Sequence, residues 1–237
     1  MLKFSLLTRG DPRNPPLIFL HGFLGCKEDW RDFFPFFEQK YHCLAFDLPG
    51  HGETPYCEEI ARVLREEINR VCEIKPILVG YSMGGRIALS LKETARSLVI
   101  ISAHLGLKTE KEKEERKLID QMWSRKLLTL PFEQFLSEWY AQPIFSSLPR
   151  DLIKSRMNQN PQNLSQVLLQ MSLANQPHCE ALPCPALFLH GEHDSKYKEL
   201  YGALSLEATV RQIAGCGHAA HLGDAAECSH LICDWLS

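Results

Sequence analysis

Short, unbroken apolar runs recur along the chain, each cut off by polar or turn-forming residues. Leu17-Ile18-Phe19-Leu20 stops at His21-Gly22, Cys43-Leu44-Ala45-Phe46 stops at Asp47, and Pro76-Ile77-Leu78-Val79 runs into Gly80. Leu98-Val99-Ile100-Ile101 and, much later, Ala186-Leu187-Phe188-Leu189 have the same form. Runs of this length, apolar at every position, fit strands buried on both faces of a parallel sheet. A further short strand is expected at Thr209–Ile213. Between the runs the period changes. Over residues 58–73, Ile60, Val63, Leu64, Ile68, Val71 and Cys72 share one face at helical spacing. The segment MGGRIALSLKET, from Met83, predicts a helix whose small leading residues let it approach the sheet closely. Strands alternating with helices predict an α/β fold, a mostly parallel central sheet with helices on both faces.

Residues 105–180 break the rhythm. LKTEKEKEERKLIDQMWSRKLL is charged and then amphipathic, PFEQFLSEWY and NLSQVLLQMSLANQ also read as helices, and strands resume only at PCPALFLHGEHD. This pattern predicts a helical cap over 105–180 inserted into a core made of 1–104 and 181–237. The cap carries ten Lys and Arg against nine Asp and Glu, so an anion site in it must rest on a few placed arginines.

Composition narrows the function classes. With 237 residues and a net charge of −3, the chain can bury one sizeable core and carries no basic stripe for nucleic acid. Its longest apolar stretches are of strand length, which argues against membrane insertion, and the opening MLKFSLLTRGD is too short an apolar run for a signal peptide. Nine scattered cysteines without a C-x-x-C read as free thiols in a reducing cytoplasm.

The chemistry centres on Gly80-Tyr81-Ser82-Met83-Gly84, which fits G-x-S-x-G, a serine on a sharp strand-to-helix turn. Such a serine needs a base and an orienting acid. In the order Ser, Asp, His, the chain supplies Asp194 in HGEHDSKY and His218 in IAGCGHAAH, each just past an expected strand. Two backbone N–H donors for an oxyanion are expected at Met83, after the serine, and at Phe23 in HGFLG. His21 precedes the serine and is read as holding that loop, and Cys216 as small-residue packing. The histidine pairs in HGEHD and HAAH do not match metal-site spacings, so no metal is expected. An intact triad also argues against a binding module that has lost catalysis. The elbow leaves open whether Ser82 attacks a carbonyl or takes a proton.

The segments LHGFLGCKEDW, FDLPGHGET, GYSMGGRIAL, EWYAQPIFSSL, LLQMSLANQP, GEHDSKY and AGCGHAAH span core and cap. Through them the chain resembles the 2-succinyl-6-hydroxy-2,4-cyclohexadiene-1-carboxylate synthases, lyases of menaquinone biosynthesis on the α/β-hydrolase fold. The resemblance implies that Ser82, with His218 and Asp194, removes a proton without a covalent intermediate, that pyruvate leaves, and that no cofactor takes part. It implies substrate contacts at Tyr81, Arg86, Arg116, Trp139 and Arg156, with Arg150 as the alternative to Arg156 because PRDLIKSR is a short linker. Phe23 stands where the family more often has Leu, which leaves a backbone donor intact. The implied partner is a small polycarboxylate, and arginine suits carboxylates through its planar, two-pronged donor geometry. Simpler roles stand beside these: a surface pair between Glu112 and Arg116, a tie from Arg86 to the cap, and cap packing by Trp139, Tyr140 and Phe145. An ester or thioester hydrolase using Ser82 as nucleophile is the alternative reading, and a monomer or weak homo-oligomer is expected.

Overall fold

The computed structural model describes residues 2–148 and 152–237, so Arg150 lies outside the described residues. Seven strands form one sheet: β1 (Leu6–Arg9), β2 (Pro16–Leu20), β3 (His42–Phe46), β4 (Ile77–Tyr81), β5 (Ser97–Ile101), β6 (Ala186–Gly191) and β7 (Thr209–Ile213). Their spatial order is β1-β3-β2-β4-β5-β6-β7. All pairs are parallel except β1 with β3. Every residue of β2, β4, β5 and β6 is buried, as their continuous apolar runs require. Edge strand β1, with the sequence LLTR, is half exposed and was not apparent from the sequence pattern.

Alternate strand residues feed two cores. On one face Ile18, Leu20, Leu78, Leu98, Ile100 and Phe188 pack with α1 (Ile60–Val71) and α2 (Met83–Ser90). On the other, Leu17, Phe19, Val79, Val99 and Leu187 meet Trp30, Phe33, Phe34 and Phe37, together with the helix ending the chain. The helix expected from MGGRIALSLKET stops at Ser90 and gives way to a 3₁₀ turn over Lys92–Thr94. There the Ser90 and Thr94 hydroxyls donate to the carbonyls of Ile87 and Leu91 and compete with further helical turns.

Between β5 and β6 run α3 (Glu110–Thr129), α4 (Phe132–Tyr140), α5 (Leu152–Arg156) and α6 (Pro161–Gln170), with no strand among the described residues. Thr109 and Glu112 form a reciprocal capping box at the start of α3. Trp123, Leu127, Phe135, Leu136, Leu164 and Leu168 make a third, separate core that reaches the sheet domain through Leu24. Among the described residues no helix is long and apolar enough to cross a membrane.

Candidate active site

Ser82 sits between β4 and α2 with φ of 50° and ψ of −110°, a conformation an L-residue adopts only under constraint. The neighbouring glycines explain how the turn is held. A Cβ on Gly84 would stand 2.1 Å from the Leu20 carbonyl oxygen, and one on Gly80 would stand 2.5 Å from the Gly84 carbonyl oxygen. Only bare backbone fits where the helix start touches both strands. The Ser82 N–H donates to the Ile101 carbonyl at 2.9 Å, which ties the elbow to β5.

Asp194 follows β6 and opens the next helix, α7 (Ser195–Gly202); His218 follows β7. His218 Nδ1 donates to Asp194 Oδ2 at 2.9 Å, and its Nε2 faces Ser82 Oγ at 3.4 Å. Asp194 and His218 are buried. The imidazole is boxed by rings: Tyr197 at 5.1 Å, Tyr81 at 5.3 Å and, from the helical segment, Phe145 at 5.9 Å between centroids. The carboxylate fixes the tautomer, so Nε2 carries the lone pair that can accept the serine proton.

Met83 opens α2, so its N–H has no carbonyl one turn earlier to bond. Phe23 lies in the loop after β2, and that loop is anchored from several sides. His21 is buried and accepts the Leu48 N–H at Nε2 (3.0 Å), His51 Nε2 accepts the Leu24 N–H (3.3 Å), and Asp29 accepts the Cys26 N–H (3.2 Å). From the helical segment, the Gln159 side-chain amide donates to the carbonyls of Leu24 at 2.8 Å and Gly25 at 2.9 Å.

Ser82, Phe23, Met83, Arg86, His104, Arg116, Trp139, Leu168, Met171, Leu173 and Tyr197 line one cavity of about 80 Å³. The structure thus brings together the elbow, both amide positions, two of the arginines and the tryptophan. Arg86 has no carboxylate within ion-pair distance among the described residues; its one polar side-chain contact is Gln176 Oε1 at 3.5 Å. Burial, and then the charge of Arg116, push its guanidinium down to about 10. Among the described residues Arg116 uses only Nε, bonded to both Asp120 carboxylate oxygens at 2.9 Å, and its two terminal nitrogens have no partner there. The surface pair with Glu112 does not form, because the Thr109 cap occupies that carboxylate.

Arg156 is placed differently from the expectation for a substrate arginine. It forms a two-pronged ion pair with Asp29 at 2.7 and 2.9 Å, buried on both sides. It lines a second, smaller cavity of about 20 Å³ with Tyr81, Tyr140, Phe145 and Asp29, which adjoins the first through Phe23. Tyr81 belongs to this second cavity, its ring tilted against His221 with centroids 4.1 Å apart. Trp139 faces the first cavity and packs on Phe23, Trp123 and Phe145 as well, so it is both wall and packing residue.

Sequence reasoning missed three residues here. Tyr197 stands one helical turn after Asp194, and His104 follows the end of β5. Burial first, then Lys196, push His104 down to about 4, and burial pushes Tyr197 up to about 12. Burial and Arg116 lower the Lys196 ammonium. The strand-end rule that located Asp194 and His218 also marks His104. Among the described residues no group of three or more His, Cys, Asp or Glu side chains is placed to hold a metal.

Residues 17–231 match the model of the alpha/beta hydrolase family. The 2-succinyl-6-hydroxy-2,4-cyclohexadiene-1-carboxylate synthase of Salmonella newport is 36% identical over 231 residues, covering 90% of each chain. The MenH structure from S. aureus superposes with a TM-score of 0.89 at 27% identity, over 100% of this chain and 98% of that one. A thermophilic esterase from Thermogutta terrifontis shares the fold, with a TM-score of 0.78 at 19% identity over 99% of this chain and 93% of that one. The chain belongs to the alpha/beta hydrolase family and, within it, to the 2-succinyl-6-hydroxy-2,4-cyclohexadiene-1-carboxylate synthases.

Proposed function

We propose that this chain is a lyase of menaquinone biosynthesis. It eliminates pyruvate from 2-succinyl-5-enolpyruvyl-6-hydroxy-3-cyclohexene-1-carboxylate to give 2-succinyl-6-hydroxy-2,4-cyclohexadiene-1-carboxylate, with Ser82 as general base. The observation that carries this reading is an elbow serine sharing one cavity with two arginines, one of them, Arg86, lacking a carboxylate partner among the described residues. Arg86, desolvated and unpaired beside an Arg116 that Asp120 already compensates, is costly to bury unless an anion arrives. A neutral ester gives no return on that arrangement, whereas a polycarboxylate does.

The Ser82 hydroxyl, its proton drawn to His218 Nε2, takes the hydrogen from the ring carbon that bears the succinyl group. The freed electron pair forms a double bond to the neighbouring ketone carbon, an enolate conjugated with the ring alkene. Charge collects on the ketone oxygen, where the Phe23 and Met83 N–H groups donate. As this enolate collapses, the pair becomes the C2=C3 ring double bond, the existing C3=C4 double bond shifts to C4=C5, and the C5–O bond to the enolpyruvyl group breaks with its electrons on oxygen. The departing enolate recovers the proton at carbon and becomes pyruvate. No bond to serine forms and no water or cofactor is consumed. Arg86 and Arg116 hold carboxylates, Trp139 walls the ring, and Tyr81 supports the elbow from beneath. Arg156, paired with Asp29, positions the loop bearing Phe23.

Residues 105–180 act as a cap on the core of 1–104 and 181–237. The cavity is far smaller than the roughly 300–1,000 Å³ of small-molecule pockets, so the cap lifts to admit substrate. The nine unpaired cysteines suit a reducing cytoplasm. The test is pyruvate release from the cyclohexene substrate. Ser82→Ala should lower kcat by about 10²–10⁴-fold, with no acyl adduct on the wild-type serine by mass spectrometry. Ester turnover through an acyl-Ser82 adduct, without pyruvate release, would overturn the reading in favour of a hydrolase.

A further inference from the structure

Helix α3 has two opposite faces. Arg116, Asp120, Trp123 and Leu127 look inward, toward the cavity and the cap core. Lys111, Glu115, Leu118, Met122, Arg125 and Thr129 recur at alternating steps of four and three, share the outer stripe, and are all exposed. In its middle Leu118 is 67% exposed and Met122 46%, with Ile119 beside them at 49%. Clustered large apolar side chains in water mark a contact surface more often than isolated ones do.

The charges around this cluster have a symmetry that identifies the partner. Glu115 precedes Leu118 by three residues and Arg125 follows Met122 by three, so both pairs are equidistant from position 120. Two antiparallel copies of α3, related by a two-fold axis level with position 120, set Leu118 of one copy against Met122 of the other. They also set Glu115 of one against Arg125 of the other. Each contact is made twice, as an isologous interface requires. The Arg125 guanidinium has no ion-pair partner among the described residues, and Glu115 reaches only Lys111, at 4.0 Å.

We propose that the outer face of α3 is a self-association surface whose occupant is the same face of a second copy. One helix against one helix buries less than the about 800 Å² per partner of a standard stable interface, so the dimer is weak, reversible and sensitive to salt.

Sedimentation equilibrium over about a hundredfold range of concentration tests this. The wild-type chain should show a concentration-dependent monomer–dimer equilibrium. Arg125→Glu and Glu115→Arg each place like charges opposite one another twice and should weaken association at least about tenfold. The double variant Glu115→Arg/Arg125→Glu should restore it to within about threefold. Circular dichroism melts establish that each variant folds. A monomer throughout the range, association indifferent to the single changes, or a double variant that stays monomeric overturns the proposal. So does a monomer that instead sediments with anionic phospholipid vesicles through Leu118, which assigns the face to a membrane surface.

Discussion

The two walls of the cavity are built on different physics. The strand-end wall holds Ser82, Asp194 and His218 just past the ends of β4, β6 and β7, where backbone pairing and a buried Asp194–His218 hydrogen bond fix the side chains. The helical wall holds Arg116 and Trp139 on α3 and α4. It is joined to the core by aromatic contacts and by two polar latches, Arg156 to Asp29 and Gln159 to the Leu24 and Gly25 carbonyls. One wall is placed by sheet geometry, the other by side-chain contacts between the helical segment and the core. Under the proposed function, chemistry belongs to the first wall and recognition to the second.

The largest effect should come from the strand-end wall. His218→Ala leaves Ser82 without a proton acceptor and should lower kcat/KM by about 10²–10⁴-fold, or about 3–5 kcal/mol of transition-state stabilisation, in protein that circular dichroism shows to be folded at the assay temperature. A comparable loss in KM alone would mean that the residue binds rather than reacts.

Next comes the latch. Asp29→Ala strands the buried Arg156 guanidinium and should destabilise the fold by about 3–5 kcal/mol. The double change Asp29→Leu/Arg156→Met removes both charges and should recover most of that stability. The comparison between walls is sharpened by activity: if the latch sets the Phe23 loop, the double variant stays folded yet loses kcat. If kcat survives, the latch is only structural.

The arginines come third. Arg86→Lys keeps the charge and loses the fork, so KM should rise about tenfold while kcat changes little, as measured by steady-state pyruvate release. A fall in kcat at constant KM would move Arg86 from recognition into the chemistry.

The same division explains what could be read from the sequence. The elbow was legible because Gly80 and Gly84 are demanded by contacts within a few residues or with the adjacent strand, and β2, β4, β5 and β6 because their burial on both faces leaves an unbroken apolar signature. Asp194 and His218 followed from chain order. The helical wall was less legible, since helical spacing offers Arg116 a carboxylate four residues away in either direction. Tertiary structure chooses Asp120, which points into the core, while Glu112 is occupied by the cap. The pairing of Asp29 with Arg156 joins residues far apart in the chain, and no local pattern announces it. Strand β1 is not legible because four edge residues, two half-buried and two exposed, carry little periodic signal.

Acid should expose the smallest difference. Burial lowers His21, His42, His51 and His221, the last to about 3, and His104 at the cavity to about 4. Each is lower folded than unfolded, so below about pH 6.5 the unfolded chain takes up protons that the folded chain refuses. Their contribution is whole above that pH and is lost progressively as pH falls toward the folded values. Glu112 and Glu138 are lowered from 4.5, so the interval between about pH 4.5 and 6.5 reports the histidines. Thermal melts across that interval should slope downward with acid, and His104→Asn should make the slope shallower. His104 faces Lys196, Arg86, Arg116 and His178, all of which oppose its protonation. A polycarboxylate bound there relieves that repulsion, so saturating substrate or product should flatten the wild-type slope and leave the His104→Asn slope unchanged. Equal flattening in both proteins would mean that the anion acts on the other buried histidines and not on His104, and the placement of the anion beside His104 would fail.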